Sequence, residues 1–391
     1  MLMNNLLQRL SPFHLLVVYV LLPLLISLQQ FLLGPKTIEG WNHTLTHYNV
    51  YLIFKDSYYH LIHLQDLYQY WPDEHWDLFK YSPTFALLMA PFAWLPDYLG
   101  LPLWNLLNSL VLFQGIRRLP GMAPASKNLV GLFVLVELST SLQNSQSNAL
   151  LAGLLLLGFS EFEKGNSVLA TFFMIAGGFI KIYGFAGLGL ALFYPNKLKN
   201  AALSLVWILI FLLLPLAVIP PAQLLFLYQS WKSMLSNDHS VSYGLSVQGL
   251  FQVWLGLGQF KDLILLLSMG IFGWSCLQIK QYTNQGYRLL CLASLLVWLV
   301  LFNHKAESPT YIIALAGIGI WYFSKLKPNR IDTILLGIAL VFGSLSATDL
   351  FPTAWRNGFF YPYNIKALAC FPVWIKILYD AFTLPVLSKT S

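Results

Sequence analysis

Acids and histidines crowd one short stretch of this chain. Between Gly34 and Pro83 fall six of the 16 acidic residues (Glu39, Asp56, Asp66, Asp73, Glu74, Asp77) and five of the eight histidines (His43, His47, His60, His63, His75). Carboxylates and imidazoles are the side chains that most readily move protons near neutral pH, so acid–base chemistry is the first thing this stretch suggests. From Asn49 to Leu67 there is no Pro or Gly, and Val50, Phe54, Tyr58 and Leu61 recur at helical spacing. Asn49, Ile53, Asp56, His60 and His63 form a neighbouring stripe. The pattern predicts a helix on the membrane surface with its polar side towards a site. Asp73, Glu74 and Asp77 lie in a WPDEHWD turn, where a solvated loop is a competing reading. His43 and His47 have HxxxH spacing but sit outside the helix and have no third partner, so no metal site is expected.

Other polar groups are scattered among apolar runs. LQNSQSN (142–148) carries four amides, including Gln146 and Asn148, which need hydrogen-bond partners that a sugar or phosphate supplies. FNHKAESPTY (302–311) places His304, Lys305 and Glu307 between two apolar segments, where ionisable groups are costly and functional by default. Lys181 in GGFIKIYGF is similar, with snorkelling as the plain alternative. Asn237, Asp238 and His239 follow a predicted interfacial helix, and Arg356, Asn357, Tyr361, Tyr363 and Asn364 make a further polar stretch. No GxxxxGK[ST] loop and no GxSxG elbow occurs, which argues against phosphate-loop nucleotide hydrolysis and serine esterase chemistry.

The elements that must carry these groups follow from composition. Of 391 residues, 57% are hydrophobic and only 10% are charged, against roughly 25% charged in soluble domains. Mean hydropathy is +0.63. Such a chain has too little polar surface to cover a globule in water, so lipid is its solvent. After a short basic segment (1–9), the run from about Phe13 to Leu33 is long enough for one span and lacks a small-x-small cleavage site. It reads as an uncleaved span with a cytoplasmic N-terminus. Further apolar runs fall near 99–116, 128–142, 148–160, 167–181, 183–195, 200–220, 263–279, 288–303, 309–324, 331–347 and 368–386. Alternating sides puts Arg117, Arg118, Lys127, Lys164, Lys197, Lys199, Lys280, Arg288, Lys325, Lys327 and Arg330 in cytoplasmic turns, the positive-inside pattern. That pattern accounts for the net charge of +7 without nucleic acid, since no basic stripe with interleaved aromatics appears. Thr84 to Leu95, between Pro83 and Pro96, is too short to span and reads as a half-helix on the outer side. Cys276, Cys291 and Cys370 follow no metal spacing and read as small core residues.

The expected fold is an all-α polytopic membrane protein of about 11–13 transmembrane helices. It forms one integral membrane domain over 1–391, with a large first extracytoplasmic loop at 34–98. QDLYQYWPDEHWDLFKYSPTFALLMAPFAWLP (65–96), NSQSNALLAGLLLLGF (144–159), AGGFIKIYGFAG (176–187) and NHKAESPTY (303–311) together resemble glycosyltransferase family 87, polyprenyl-phosphate-mannose-dependent mannosyltransferases of the GT-C class. The resemblance implies a multi-pass protein of the cell membrane with its active site on the extracytoplasmic side. It implies a hexose, mannose above all, moved from a polyprenyl-phosphate donor to a glycolipid, glycan or protein acceptor. No cofactor is implied. An acid in the first outer loop would act as base, with inversion at the anomeric carbon. The family's acid falls at Asn49 in YNVYLIF, which has no carboxylate, so the resemblance moves the base to Asp56 and Asp66, with Glu307 as the other choice. Lys181, His304, Lys305, Glu307, Asn49, His60, Gln146, Asn148 and Tyr81 would bind donor phosphate or substrate. A transporter or flippase for a lipid-linked or small polar substrate is the alternative, and it would predict inverted repeats and midplane polar residues.

Overall fold

The structure, a computed structural model, describes residues 11–37, 44–239 and 243–385. Glu39, His43 and the basic 1–9 segment lie outside the described residues, as do the side chains of Asp238 and His239. The described residues are helical nearly throughout, and their sheet is one two-stranded antiparallel ribbon, β1 (Lys36–Thr37) and β2 (Thr44–Leu45). It is an all-α polytopic membrane protein.

The helices in chain order are α1 (Pro12–Leu32), α2 (Asn49–Ile62), α3 (Pro83–Leu88), α4 (Ala90–Ala93), α5 (Asp97–Arg118), α6 (Pro124–Phe133), α7 (Leu135–Gln143), α8 (Asn148–Glu163) and α9 (Ser167–Ile180). A 3₁₀ segment, Ile182–Phe193, comes next. Then follow α10 (Lys197–Leu213), α11 (Pro221–His239), α12 (Val247–Leu255), α13 (Lys261–Cys276), α14 (Gln285–Leu301), α15 (Tyr311–Phe323), α16 (Arg330–Ile338) and α17 (Ile365–Thr383). Each apolar run in the sequence overlaps one or more of these, though 128–142 is split between α6 and α7 and α16 ends at Ile338, inside 331–347. Four helical stretches, Pro12–Leu32, Asp97–Arg118, Lys197–Ala217 and Arg330–Ala347, are long and apolar enough to cross a membrane, and α6 with α7, bent by 44°, makes a fifth. Ser167–Ile180, Ile182–Phe193, Gln285–Leu301 and Ser308–Phe323 are apolar but shorter. By length and composition four or five of these stretches of the described residues pass as full spans on their own, and the other apolar helices are shorter or broken. The reason is local. Apolar runs break where the backbone leaves the helix, as at Lys181, whose φ of −138° and ψ of 121° are extended.

Two hydrophobic cores hold the bundle. The larger gathers α1, α5, α6, α8, α14, α15 and α17, and its centre is α14 against α15, where Leu292, Leu296, Ile313 and Ile320 are fully buried. The smaller joins α2 to α3, α5, α9 and α11. Its aromatic nucleus places Phe54 edge-on to Tyr81 (4.8 Å), Phe85 (5.1 Å) and Trp104 (5.6 Å). Such pairs contribute roughly 0.5–1.5 kcal/mol each beyond area burial, enough to fix α2 and Tyr81 together. Hydrogen bonds complete the docking of α2 on the half-helix pair α3–α4, from Tyr59 Oη to the Ala93 carbonyl (2.6 Å) and from Tyr51 Oη to that of Phe92 (3.2 Å). Ser82 caps α3 and donates to the Phe179 carbonyl at 2.6 Å, tying the half-helix to the end of α9 beside Lys181.

Glu137, a lone acid inside an apolar run, is fully buried on α7 and lies 2.8 Å from Lys366 Nζ of α17. Lys366 also donates to Ser308 Oγ at 2.8 Å, so this pair anchors the 302–311 loop from beneath. Cys291 and Cys370 are buried and Cys276 is half-buried, all as free thiols.

Candidate active site

The first loop, the amide bend and the 302–311 loop meet around a cavity of about 720 Å³. That lies within the ~300–1,000 Å³ typical of small-molecule sites. Its polar end is built by Asp77, Lys80, Tyr81, Gln146, Lys181, His304, Lys305 and Glu307. Its apolar wall is Leu265 and Met269 of α13, Trp298 and Leu299 of α14, and Phe302. Six of the residues expected at the site therefore share one cavity: Tyr81, Gln146, Lys181, His304, Lys305 and Glu307.

Gln146 is the hub. Its Oε1 accepts from Lys181 Nζ (3.3 Å) and Tyr81 Oη (3.4 Å), while its Nε2 donates to Glu307 Oε2 (3.3 Å). Lys181 also donates to Asn148 Oδ1 at 2.7 Å and stands 5.6 Å from the centre of the Tyr81 ring. Asn148 thus sits behind Lys181 and does not line the cavity. The break between α9 and the 3₁₀ segment is what frees Lys181 from the helix and lets it reach this cluster. A Cβ on Gly184 would meet the Gly177 carbonyl group at 2.7 Å, so only glycine allows the chain to double back that tightly. Gly244 plays the matching part for the late loop. Its φ is +56°, and a Cβ there would lie 2.6 Å from the His304 carbonyl oxygen.

Four expected site residues lie elsewhere. Asp66 accepts from Ser230 Oγ (2.9 Å to each carboxylate oxygen) and from the Tyr68 amide (3.1 Å), and does not line the cavity. It ties the first loop to α11. Asp56 is also away from the cavity, close to Glu74, Lys55 and Asp97. Burial, and then the negative charge of Glu74, push its pKa up to about 7. That value would suit a base, but position decides before pKa, and Asp56 does not line the cavity. His60 is buried, stacks on Trp71 at 4.1 Å and lies 2.7 Å from Glu74 Oε2. Burial holds its pKa below the usual histidine value, with Glu74 opposing.

Asn49 is the most informative correction. Its Nδ2 donates to the Trp76 carbonyl and its Oδ1 accepts from the Trp76 amide, both at 2.8 Å. One side-chain amide satisfies both backbone groups of one residue, which a carboxylate cannot do because it has no N–H to donate. The face of α2 that lines the cavity is therefore apolar (Val50, Ile53, Phe54). The polar face instead grips the 71–77 turn, contrary to the expected orientation. That grip delivers a residue for which a solvated turn is the competing reading and which is not among the expected site residues. Asp77 has a left-handed φ of +78° and lines the cavity. Its backbone carbonyl accepts from His75 Nδ1 (3.1 Å), and its Oδ1 takes the Leu78 amide (2.7 Å) and lies 3.3 Å from Lys80 Nζ. The one signal for Asp77 in the sequence was its place in the WPDEHWD turn.

Two expected outcomes follow from this arrangement. Asn49→Asp would put an oxygen against the Trp76 carbonyl and lose a donor, at a cost of about 1–3 kcal/mol. Faster hydrogen exchange at the 71–78 amides, with lower activity, is the expected result, and unchanged protection would refute the clamp. For Asp56, the folded pKa lies above the unfolded value of ~3.9. The native state then holds more protons than the unfolded one between about pH 4 and pH 7. Stability is lost as pH rises through that window. Asp56→Asn should accordingly melt a few degrees higher than the parent at pH 8 and match it at pH 4. A variant that melts lower at pH 8 would contradict the burial argument.

No curated protein sequence matches the chain at a significant level. The sequence profile of glycosyltransferase family 87 does, over residues 79–323. That stretch takes in Tyr81, Gln146, Lys181, His304, Lys305 and Glu307, and begins just after Asp77. With well over half the chain matched, and with the matched part supplying most of the polar end of the cavity, the chain belongs to glycosyltransferase family 87 and is a membrane glycosyltransferase.

Proposed function

We propose that this glycosyltransferase moves a hexose, mannose in the first instance, from a polyprenyl-phosphate donor to an acceptor on the extracytoplasmic side of the cell membrane. The observation that carries the reading is the two-sided cavity, cationic and amide-rich at one end and apolar along α13 and α14. An amphiphile with a sugar-phosphate head and a hydrocarbon tail matches both sides. The isoprenoid lies along Leu265, Met269, Trp298 and Phe302, and the phosphate lies towards Lys181, His304 and Lys305. Exposed Leu266, Leu267 and Trp274 on α13 give the tail a lipid-facing exit.

Asp77 is the base in this scheme, in place of Asp56 and Asp66. Its carboxylate takes the proton of the acceptor hydroxyl, whose oxygen forms a bond to the anomeric carbon. The bond from that carbon to the phosphate oxygen breaks, and its electron pair leaves with the polyprenyl phosphate. Attack and departure on opposite faces give inversion. Lys181 offsets the charge that grows on the leaving phosphate, where a low-dielectric site makes a fixed cation effective. Glu307, hydrogen-bonded through Gln146, holds the Gln146–Lys181 pair in place.

The test uses the purified protein in liposomes with a radiolabelled, short-chain polyprenyl-phosphate mannose. Donor-dependent release of polyprenyl phosphate together with labelled sugar on an acceptor or in water is expected. Absence of any release, with the label carried intact across the bilayer, would overturn the transferase reading in favour of transport.

A further inference from the structure

A second, shallow and largely open depression of about 620 Å³ lies along α11 and is lined by Ile182, Tyr228, Trp231, Lys232, Leu235 and Ser236. Ile182 and Leu235 also line the first cavity, so the two meet at a shared wall. We propose that this cleft binds the acceptor, and that the acceptor presents a saccharide there. The inference rests on the transferase reading and adds to it the side from which the second substrate comes.

Its lining differs in kind from that of the α13–α14 side. Trp231 and Tyr228 stand 6.3 Å apart at 48°. Both polar handles point into the protein: Trp231 Nε1 donates to the Lys80 carbonyl (3.2 Å) and Tyr228 Oη to the Leu212 carbonyl (2.9 Å). Those bonds fix the rings, which then offer rigid apolar surface at little entropic cost. The C–H face of a pyranose ring packs on such surface, while one of its hydroxyls takes a hydrogen bond from an ammonium and another donates to a serine oxygen whose own proton goes to the Lys232 carbonyl (2.9 Å). Lys232 and Ser236 supply both at the exposed rim. A hydrocarbon chain is the poorer occupant, since it would strip water from Lys232 without returning a hydrogen bond. The apolar wall at Leu265, Met269, Trp298, Leu299 and Phe302 has no such group. The two substrates are thereby sorted by polarity into two approaches.

The convergence point fits. Trp231 is bonded to the backbone of Lys80, and Lys80 pairs with Asp77 at 3.3 Å. Ser230, one residue from Trp231, is held by Asp66 of the first loop. The position of Asp66 therefore acquires a use: it fastens the α11 cleft to the loop that carries Asp77. A saccharide on the Trp231 ring would have a hydroxyl directed towards that loop.

The test has a binding arm and a kinetic arm. Saturation-transfer NMR with methyl mannobioside as probe, without donor, should show contact with the parent protein and with Trp231→Phe, and a loss in Trp231→Leu. In the kinetic arm, Trp231→Leu should raise the KM for the mannobioside about tenfold, the scale of one lost aromatic contact. The KM for the short-chain donor should move far less than the KM for the mannobioside. Should Trp231→Leu fail to fold, Lys232→Gln at the exposed rim carries both measurements. Equal binding in parent and variant, no binding by the parent, or a donor KM that moves as far as the acceptor KM would each overturn the acceptor cleft. Binding by the parent without any sugar release would instead overturn the transferase reading and leave the saccharide site standing.

Discussion

Asp77→Asn is expected to lower the rate of sugar transfer by about 10²–10⁴, the usual contribution of a positioned general base. The substitution keeps size and hydrogen-bonding shape. The Asn side-chain oxygen can still accept from the Leu78 amide, which Asp77 Oδ1 now takes at 2.7 Å, so the turn should survive. What it removes is the ability to take a proton. The backbone there is already committed to φ = +78°, a region that Asn tolerates as well as Asp. The loss should therefore fall on kcat, with the donor KM nearly unchanged, because no donor-binding cation has been touched. Asp56→Asn and Asp66→Asn are the matched controls. Asp66→Asn should weaken the tie to Ser230, and neither variant should remove the base. Full activity in Asp77→Asn, or abolition of transfer by Asp56→Asn in a folded protein, would return the base to α2.

The second large effect is expected at Lys181. Lys181→Met keeps the length and most of the apolar stem but removes the ammonium that meets Gln146 and Asn148 at 3.3 Å and 2.7 Å. Loss of one preorganised charge at a leaving group costs about 10²–10³ in rate. The fall should be steepest with a poor leaving group. A donor carrying an activated leaving group in place of the lipid phosphate should recover much of the rate in Lys181→Met and little in Asp77→Asn. That difference separates the cation that helps departure from the base that helps attack. Lys181→Arg is expected to restore only part of the activity. A planar guanidinium cannot reproduce the compact point charge that fits between Gln146, Asn148 and the Tyr81 ring. Equal recovery of both variants with the activated donor would contradict the division of roles.

A large part of this architecture was legible in the residues. Apolar runs mark helices whatever their partners, because a backbone in lipid must satisfy its own hydrogen bonds. That is why α1, α5, α14 and α15 fall where the hydropathy placed them, and why the half-helix at 83–93 could be read from its two prolines. Lys181, Gln146, His304, Lys305 and Glu307 stood out because polar groups beside apolar runs need a reason to be there. Their convergence on one cavity follows from the contacts of Gln146 with Tyr81, Lys181 and Glu307, which tie the amide bend to the end of α9 and to the 302–311 loop. The number of full spans was less legible, since a run of apolar residues does not reveal where the backbone will bend. The 44° break between α6 and α7 and the extended residue at Lys181 are the cases in point.

Which carboxylate of the first loop lines the cavity was decided by tertiary structure alone. Helical periodicity put Asp56 and His60 on the polar side of α2, and that much is correct. It could not say what the polar side faces. In the folded protein it faces the 71–77 turn, because Asn49 offers the Trp76 backbone one donor and one acceptor and His60 stacks on Trp71. The turn is folded back over the helix, and Asp77, 28 positions after Asn49, reaches the cavity instead. Sequence determined that this chain lives in lipid, folds into helices and keeps its few charges to the segments between apolar runs, since those are consequences of composition and period. Which carboxylate meets the cavity depends on contacts between segments far apart in the chain, and no periodicity along one helix records them.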